Sequence, residues 1–291
     1  MAFVQRLISL RFILGKGDFG TAGQDTVDVS GLRCSVNIVK QGIGQAQCDI
    51  QAFGMSLDLM NKLTVLNKLR LENQRFNSVI VSAGNDKGGL GVCFKGTIQE
   101  AWADGRQAPD VAFQVSADTG LFQLLQPVAP ISFNGSVDIV TVLSGIATQM
   151  GLVLENNGVT GTVENPYFPG TLKSQLEKAC VVGDCTPFID EAGGILAVTP
   201  RGKARGGLAI LLSKDTGLVS YPSFTQSGIQ VTSIFNPNLE FGRQIRIDSQ
   251  FKPANGLWRI QSLAHRLESQ VPGGQWFTDI ECTYFDQQAQ A

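Results

Sequence analysis

Short runs in which apolar and polar residues alternate outnumber stretches with helical spacing, and glycine-bearing turns divide them. In the first third such runs cover 3–14, 27–39, 47–53, 77–83 and 92–101. Gly84-Asn85-Asp86-Lys87-Gly88-Gly89 falls between the last two, and its residues tolerate the positive φ of a tight reversal, which predicts a strand pair around it. Leu59, Met60, Leu63 and Leu66 recur at roughly helical spacing behind Ser56, whose hydroxyl suits a first-turn cap. A short helix within 56–69 follows.

After Pro130 the spacing changes. Ser136 is placed to cap a helix over 137–150, and Asp138 sets negative charge beside its positive end. Ile139, Val142, Leu143, Ile146, Ala147 and Met150 share one face, and Gly151 supplies a left-handed stop. A second helix begins near Thr171, carries Leu172, Leu176 and Ala179 on its apolar side, and ends near Gly183 ahead of a strand pair at 187–189 and 194–199. From Gly217 alternation returns at 230–234, 244–249, 256–266 and 276–285. A strand every ten residues or so favours small closed barrels, which remove sheet edges. The expected fold is mainly β with a smaller α/β insert and two small antiparallel β-barrels. The expected domains are a first barrel (1–118), connecting strands and the α/β insert (119–215), and a second barrel (216–291).

Composition narrows the function classes. Of the 291 residues 43% are hydrophobic and 16% charged, which excludes a disordered chain and leaves apolar surface to hide, some of it between subunits. A formal net charge of -2 excludes the positive field of a general nucleic-acid binder, so no specific nucleic-acid binding is expected. The apolar residues of 1–14 are interrupted by Gln5, Arg6, Ser9 and Arg11, which reads as a strand and not as a signal core or membrane anchor. A soluble, unprocessed cytoplasmic product is the expectation.

No catalytic, cofactor-binding or metal residue is assigned. Cys34, Cys48, Cys93, Cys180, Cys185 and Cys282 lie in apolar contexts and read as reduced, buried thiols. Cys180 and Cys185 have the spacing of half a metal loop, yet no second pair completes four ligands. His265, the only histidine, sits in an alternating run without a nucleophile elbow elsewhere, so it reads as a strand side chain. Asp190 and Glu191 are adjacent, would point to opposite faces of a strand, and mark a hairpin turn. Gly15-Lys16-Gly17 and Gly202-Lys203 lack the full phosphate-loop spacing and read as turns. The basic stretch from Arg201 through Lys203 and Arg205 to Gly207 reads as a solvated loop tip. Gly242 is expected in a turn before the strand at 244–249, where Gly242→Val impairs assembly if the glycine's φ is positive.

Two stretches together resemble a known family. The first joins Gly54-Met55, the helix from Ser56, Ala83-Gly84 and Phe94-Lys95-Gly96-Thr97-Ile98. The second joins Tyr221-Pro222, Phe235-Asn236-Pro237, Phe241-Gly242-Arg243 and a His265-bearing strand that a Pro272-Gly273-Gly274 turn links to Trp276. With the helix around 135–151, these resemble the baseplate hub of contractile-tailed bacteriophages. The resemblance implies barrels related to tail-tube modules and a structural, non-enzymatic virion protein of the tail baseplate. It implies a homotrimer forming a pseudo-sixfold ring that joins the tail tube protein to the central spike protein and lines the channel for DNA. The tape measure, wedge or other baseplate proteins would be further neighbours. Two other readings stay open here: a tail-tip hub of a noncontractile tail, and a host-surface carbohydrate-binding module.

Overall fold

A computed structural model describes residues 4–19, 23–41, 45–66, 77–106, 108–119, 128–190 and 192–285. The chain opens with β1 (Arg6–Ile13), β2 (Thr26–Ser30), β3 (Cys34–Gln41) and β4 (Gln45–Phe53), then passes through α1 (Leu57–Leu63) to β5 (Ser78–Asn85), β6 (Gly89–Asp104) and β7 (Ala112–Asp118). The insert holds β8 (Ile131–Ser132), β9 (Ser136–Asp138), α2 (Ile139–Gln149), β10 (Val153–Asn156), β11 (Thr162–Glu164), β12 (Tyr167–Phe168), α3 (Leu172–Val182), β13 (Cys185–Asp190) and β14 (Ile195–Pro200). The last part contributes β15 (Ile210–Ser213), β16 (Ser223–Phe224), β17 (Gly228–Ile234), β18 (Gln244–Asp248), β19 (Gly256–Ser269) and β20 (Trp276–Thr283).

The fold is mainly β. Its principal sheet has 13 strands in the order β16-β17-β20-β19-β3-β4-β7-β6-β5-β1-β2, with β18 beside β19 and β15 beside β18. Among the described residues the ladders form an open path. β1 comes near β19, but no ladder joins them, so neither half is closed by hydrogen bonds into the barrel expected of it.

Period-two alternation sets the cores. Cys34, Val36 and Ile38 of β3 and Cys48, Ile50 and Ala52 of β4 point inward with Phe12, Val79, Val81, Phe94 and Phe113, forming the first core. A second core gathers Ile139, Val142, Leu143 and Ile146 of α2 with Leu172, Leu176 and Ala179 of α3 against Leu196 and Val198. The third joins Leu212, Ile229, Val231, Ile245, Ile247, Trp258, Ile260, Leu263 and Ile280. Each fully buried Ile, Leu or Phe side chain contributes about 1.5–3 kcal/mol, so each core is a substantial source of stability.

Several local expectations change. The run at 27–39 is two strands, because Gly31 at φ 73° lets β2 pair with β1 while β3 runs between β19 and β4. Ser136 does not cap the first insert helix: it pairs in β9 with Glu164, and the Asp138 carboxylate takes the Val140 N–H at 2.8 Å instead. Both residues can cap, but the ladder of β9 runs on to Asp138, so the helix begins two residues later than Ser136 would start it and Asp138 holds the cap position. Helix α1 is shorter than its apolar spacing suggested, ending at Leu63 with Leu66 exposed, and 67–69 lie outside the described residues. β7, with Phe113, Val115 and Ala117 facing the core, was not foreseen.

Strand order reveals a repeat. β3 to β7 are consecutive in sequence and lie in the order β3-β4-β7-β6-β5; β16 to β20 lie in the matching order β16-β17-β20-β19-β18. Every ladder within both units is antiparallel. The fourth strand of each carries a register shift against the fifth at an Ile-Gln pair, Ile98-Gln99 in β6 and Ile260-Gln261 in β19. The Ile N–H then donates across the sheet in the same way, to Asn77 O at 2.7 Å and to Arg243 O at 2.9 Å. Burial follows: Cys48, Ile50 and Ala52 of β4 match Ile229, Val231 and Ser233 of β17, with Asp49 and Gln230 outward.

Candidate functional site

In a β-rich chain with three separate cores, the informative place is where its parts are fastened together. The N-terminal lobe (β1 to β7) and the C-terminal lobe (β15 to β20) share one ladder, β3 against β19, running from Ser262 opposite Gln41 to Ser269 opposite Cys34. β19 reaches both cores, sending Trp258, Ile260 and Leu263 into the third and Leu267 into the first. The Ser269 hydroxyl donates to Leu32 O at 3.0 Å, and the Arg6 guanidinium donates to Gly274 O at 2.7 Å while lying over the Trp276 ring.

A small crevice with a cavity volume of about 20 Å³ marks the meeting of all three parts, lined by Lys40, Cys93 and Phe94 from the first lobe, Phe188, Asp190 and Arg205 from the insert side, and Glu240 and Phe241 from the last lobe. Lys40 Nζ lies 3.2 Å from Glu240, a nearly buried pair across the two lobes. Burial pushes the Glu240 carboxyl above its ordinary value, and Lys40 pulls it back. Arg205, with 1% of its side chain exposed, donates to both oxygens of Glu155 at 2.8 and 2.9 Å and lies 3.6 Å from Asp190. Hydrogen bonding to Arg205 lowers the Glu155 carboxyl to about 2. The Arg205 N–H donates to Gly242 O, Arg259 donates to Lys203 O, and the Phe188 and Phe241 rings meet edge-on at 5.1 Å. Each carboxylate here is engaged by a cation: Lys40 with Glu240 ties the two lobes, Arg205 holds Glu155 and Asp190 together within the insert, and the Gly242, Lys203 and Phe241 contacts join the insert to the last lobe.

This corrects the sequence reading of the basic stretch. Arg201 is exposed in an ion pair with Asp184, but Ala204 and Arg205 are buried, because the loop turns back under β10 and β13 instead of ending in solvent. Asp190 ends β13 at the hairpin and its carboxylate also accepts the Gly193 N–H; Glu191 lies outside the described residues. Gly15-Lys16-Gly17 and Gly202-Lys203 are bends or turns, with Gly17 at φ 97° and Gly202 at φ 80°. All six cysteines are buried free thiols, and burial pushes Cys34 and Cys93 up to about 12. Cys180 and Cys185 belong to the second core. Among the described residues, no group of three or more His, Cys, Asp or Glu could hold a metal ion, and no helix is long and apolar enough to cross a membrane.

His265 is a buried strand residue on β19. Its Nδ1 lies 2.8 Å from Thr278 Oγ1 and its ring meets Phe235 edge-on, while Nε2 has no partner among the described residues. Burial, with the nearby Lys40 cation, holds this imidazole well below 6.5. The unfolded chain therefore binds the extra proton first, and stability falls as pH drops below about 6.5, by at most about 1.4 kcal/mol per unit. Urea unfolding from pH 7.5 to 5.5 is expected to show this slope, flattened in His265→Gln; an unchanged slope in the variant would assign it to other groups.

No curated protein matches the sequence significantly. Solved structures do match in fold. The tail protein from Neisseria meningitidis MC58 aligns with a TM-score of 0.63 at 9% identity, covering 96% of both chains. The 43 kDa tail protein of prophage MuSo2 from Shewanella oneidensis aligns with a TM-score of 0.58 at 9% identity, over 95% of this chain and 96% of that one. A chain of the Francisella PdpA-VgrG complex, half-lidded, aligns with a TM-score of 0.56 at 6% identity, over 99% of this chain and 59% of that one. In sequence, the family described as Baseplate hub gp41 matches residues 13–282, from the end of β1 almost to the end of β20. With that span matched, the chain belongs to the family of phage baseplate hub proteins, structural components of the tail.

Proposed function

We propose that three copies form a pseudo-sixfold ring that joins the tail tube protein to the central spike protein and lines the channel through which DNA leaves. The repeated five-strand unit carries this reading. Two similar units per chain and three chains give six similar surfaces for a sixfold tube, while the single insert per chain gives three for a threefold spike. The fold neighbour in the PdpA-VgrG complex supports a role as one component of a larger assembly. Low charge content agrees with obligate subunit contacts and with a lumen that does not hold phosphates. Each lobe acts as a tube-type barrel whose closure is completed by its neighbours. The chain divides at 1–118, 119–215 and 216–291, and the three cores support this; the last also draws on Leu212 of β15. The tape measure and wedge or other baseplate proteins are further neighbours at the virion's tail baseplate.

Mass photometry of the purified chain, alone and with its tail tube protein, tests the ring. A species at three times the chain mass, ring-shaped in negative stain, is the expected result. A monomer under both conditions would reject it.

A further inference from the structure

We propose that the ring is closed by a strand pair between copies: β16 of one copy lies antiparallel against β6 of the next, with Phe224 opposite Ala103. This rests on the ring reading above and specifies its contact. The template is the junction inside the chain, where the first strand of one five-strand unit, β3, pairs with the fourth strand of the other, β19. The same step taken from the second unit joins its first strand, β16, to the fourth strand of a following first unit, β6.

Register follows from matched positions. Ile98 and Ile260 occupy the same place before the bulge, so Ala103 corresponds to His265 and Asp104 to Arg266. Ile38 opposes Cys48 as Phe224 opposes Ile229, so Phe224 corresponds to Ile38 and Ser223 to Asn37. Within the chain His265 lies opposite Ile38 and Arg266 opposite Asn37. Between copies, Ala103 then meets Phe224 and Asp104 meets Ser223.

Both sides of that seat are open in the single chain. His265 and Ile38 are fully buried, whereas their counterparts Ala103 and Phe224 are exposed, Phe224 by 51%. Trp102 beside the seat is 37% exposed. The backbone agrees. Ala101 exchanges both of its cross-strand hydrogen bonds with Val65, so Ala103, two residues on, turns its N–H and C=O to the same side, where no described residue pairs with them. Thr225 N–H donates to Gly228 O, so Phe224, one residue back, points its own N–H and C=O away from β17. Val65 covers Ala101 only, and the two-residue β16 fits beyond it.

Asp104 and Ser223 would form the narrow, non-hydrogen-bonded pair, with Cα atoms about 4.5 Å apart, within reach of a disulfide. The full chain carrying Asp104→Cys and Ser223→Cys is oxidised with copper–phenanthroline in air, two thiols losing two protons and passing two electrons through copper to dioxygen. The native cysteines are buried. The expected product is a covalent trimer on non-reducing gels, reversed by dithiothreitol. The chain with Glu100→Cys and Ser223→Cys, whose thiols would sit about four residues out of register, stays unlinked. A trimer by mass photometry that does not link, or one in which both variants link equally, overturns the strand pair and leaves the ring. A monomer at all concentrations, unlinked in both variants, overturns both.

Discussion

Arg205→Ala is expected to destabilise the protein by about 3–5 kcal/mol, the range for breaking a buried ion pair by removing one partner. Arg205 is almost wholly enclosed, holds both oxygens of Glu155, and lies near Asp190. Its removal leaves the nearly buried Asp190 without its cation and opens a void, while Glu155, about a third exposed, recovers part of its loss in water. The loss falls on the insert itself, since the Arg205 side chain holds Glu155 and Asp190 while its backbone N–H keeps the bond to Gly242 O. Trp102, Trp258 and Trp276 all lie in the lobes, whereas α2 and α3 dominate the helical signal, so tryptophan fluorescence and circular dichroism at 222 nm report different parts. In urea the two signals are expected to coincide for the native chain and to separate in the variant, the helical one falling first. Coincident transitions with a change below about 1 kcal/mol would show that the pair acts like a surface one.

Gly242→Val is expected to cost more than about 3 kcal/mol and to impair assembly, because two independent penalties coincide. Gly242 has φ 83°, a conformation costly for a β-branched residue. A Cβ there would also lie 2.6 Å from two Phe188 ring carbons, and Phe188 is buried against Phe241. The backbone cannot easily shift away, since Gly242 N–H donates to Ile260 O and Gly242 O accepts from Arg205 N–H. Gly17→Val separates the terms: its φ is 97° but nothing lies within 4 Å of a Cβ, so only the conformational cost of about 1–2 kcal/mol applies. Equal melting temperatures for the two variants would remove the packing term.

What the sequence disclosed, and what it hid, follows from range. The Gly84–Gly89 reversal, the start of the second insert helix near Thr171 and the strands around His265 and Trp276 are set by neighbours in the chain, and they lie within a few residues of where alternation and turn chemistry put them. The choice between Ser136 and Asp138 needed the partner strand at 162–164, and the break at Gly31 needed to be known as a change of partner. β7 carries an alternation at Phe113, Val115 and Ala117 that is local and legible. The repeat rests on strand order, with an Ile-Gln pair as a shared local trace, too short to stand out. Arg205 looked like one more charge in a glycine-rich loop. Its enclosure depends on Glu155, 50 residues earlier, which no local pattern announces.

The ladder between β3 and β19 also orders events in time. Its partners are more than 200 residues apart in sequence, and ribosomes add roughly 5–20 residues per second, so β3 waits on the order of 10–40 s for its second neighbour. Throughout that interval a nascent chain carries an unpaired sheet edge able to join a like edge on an adjacent chain of the same polysome. The C-terminal strands thus serve as the lid that ends this exposure, and a message truncated ahead of Gly256 would leave every product with the edge uncovered.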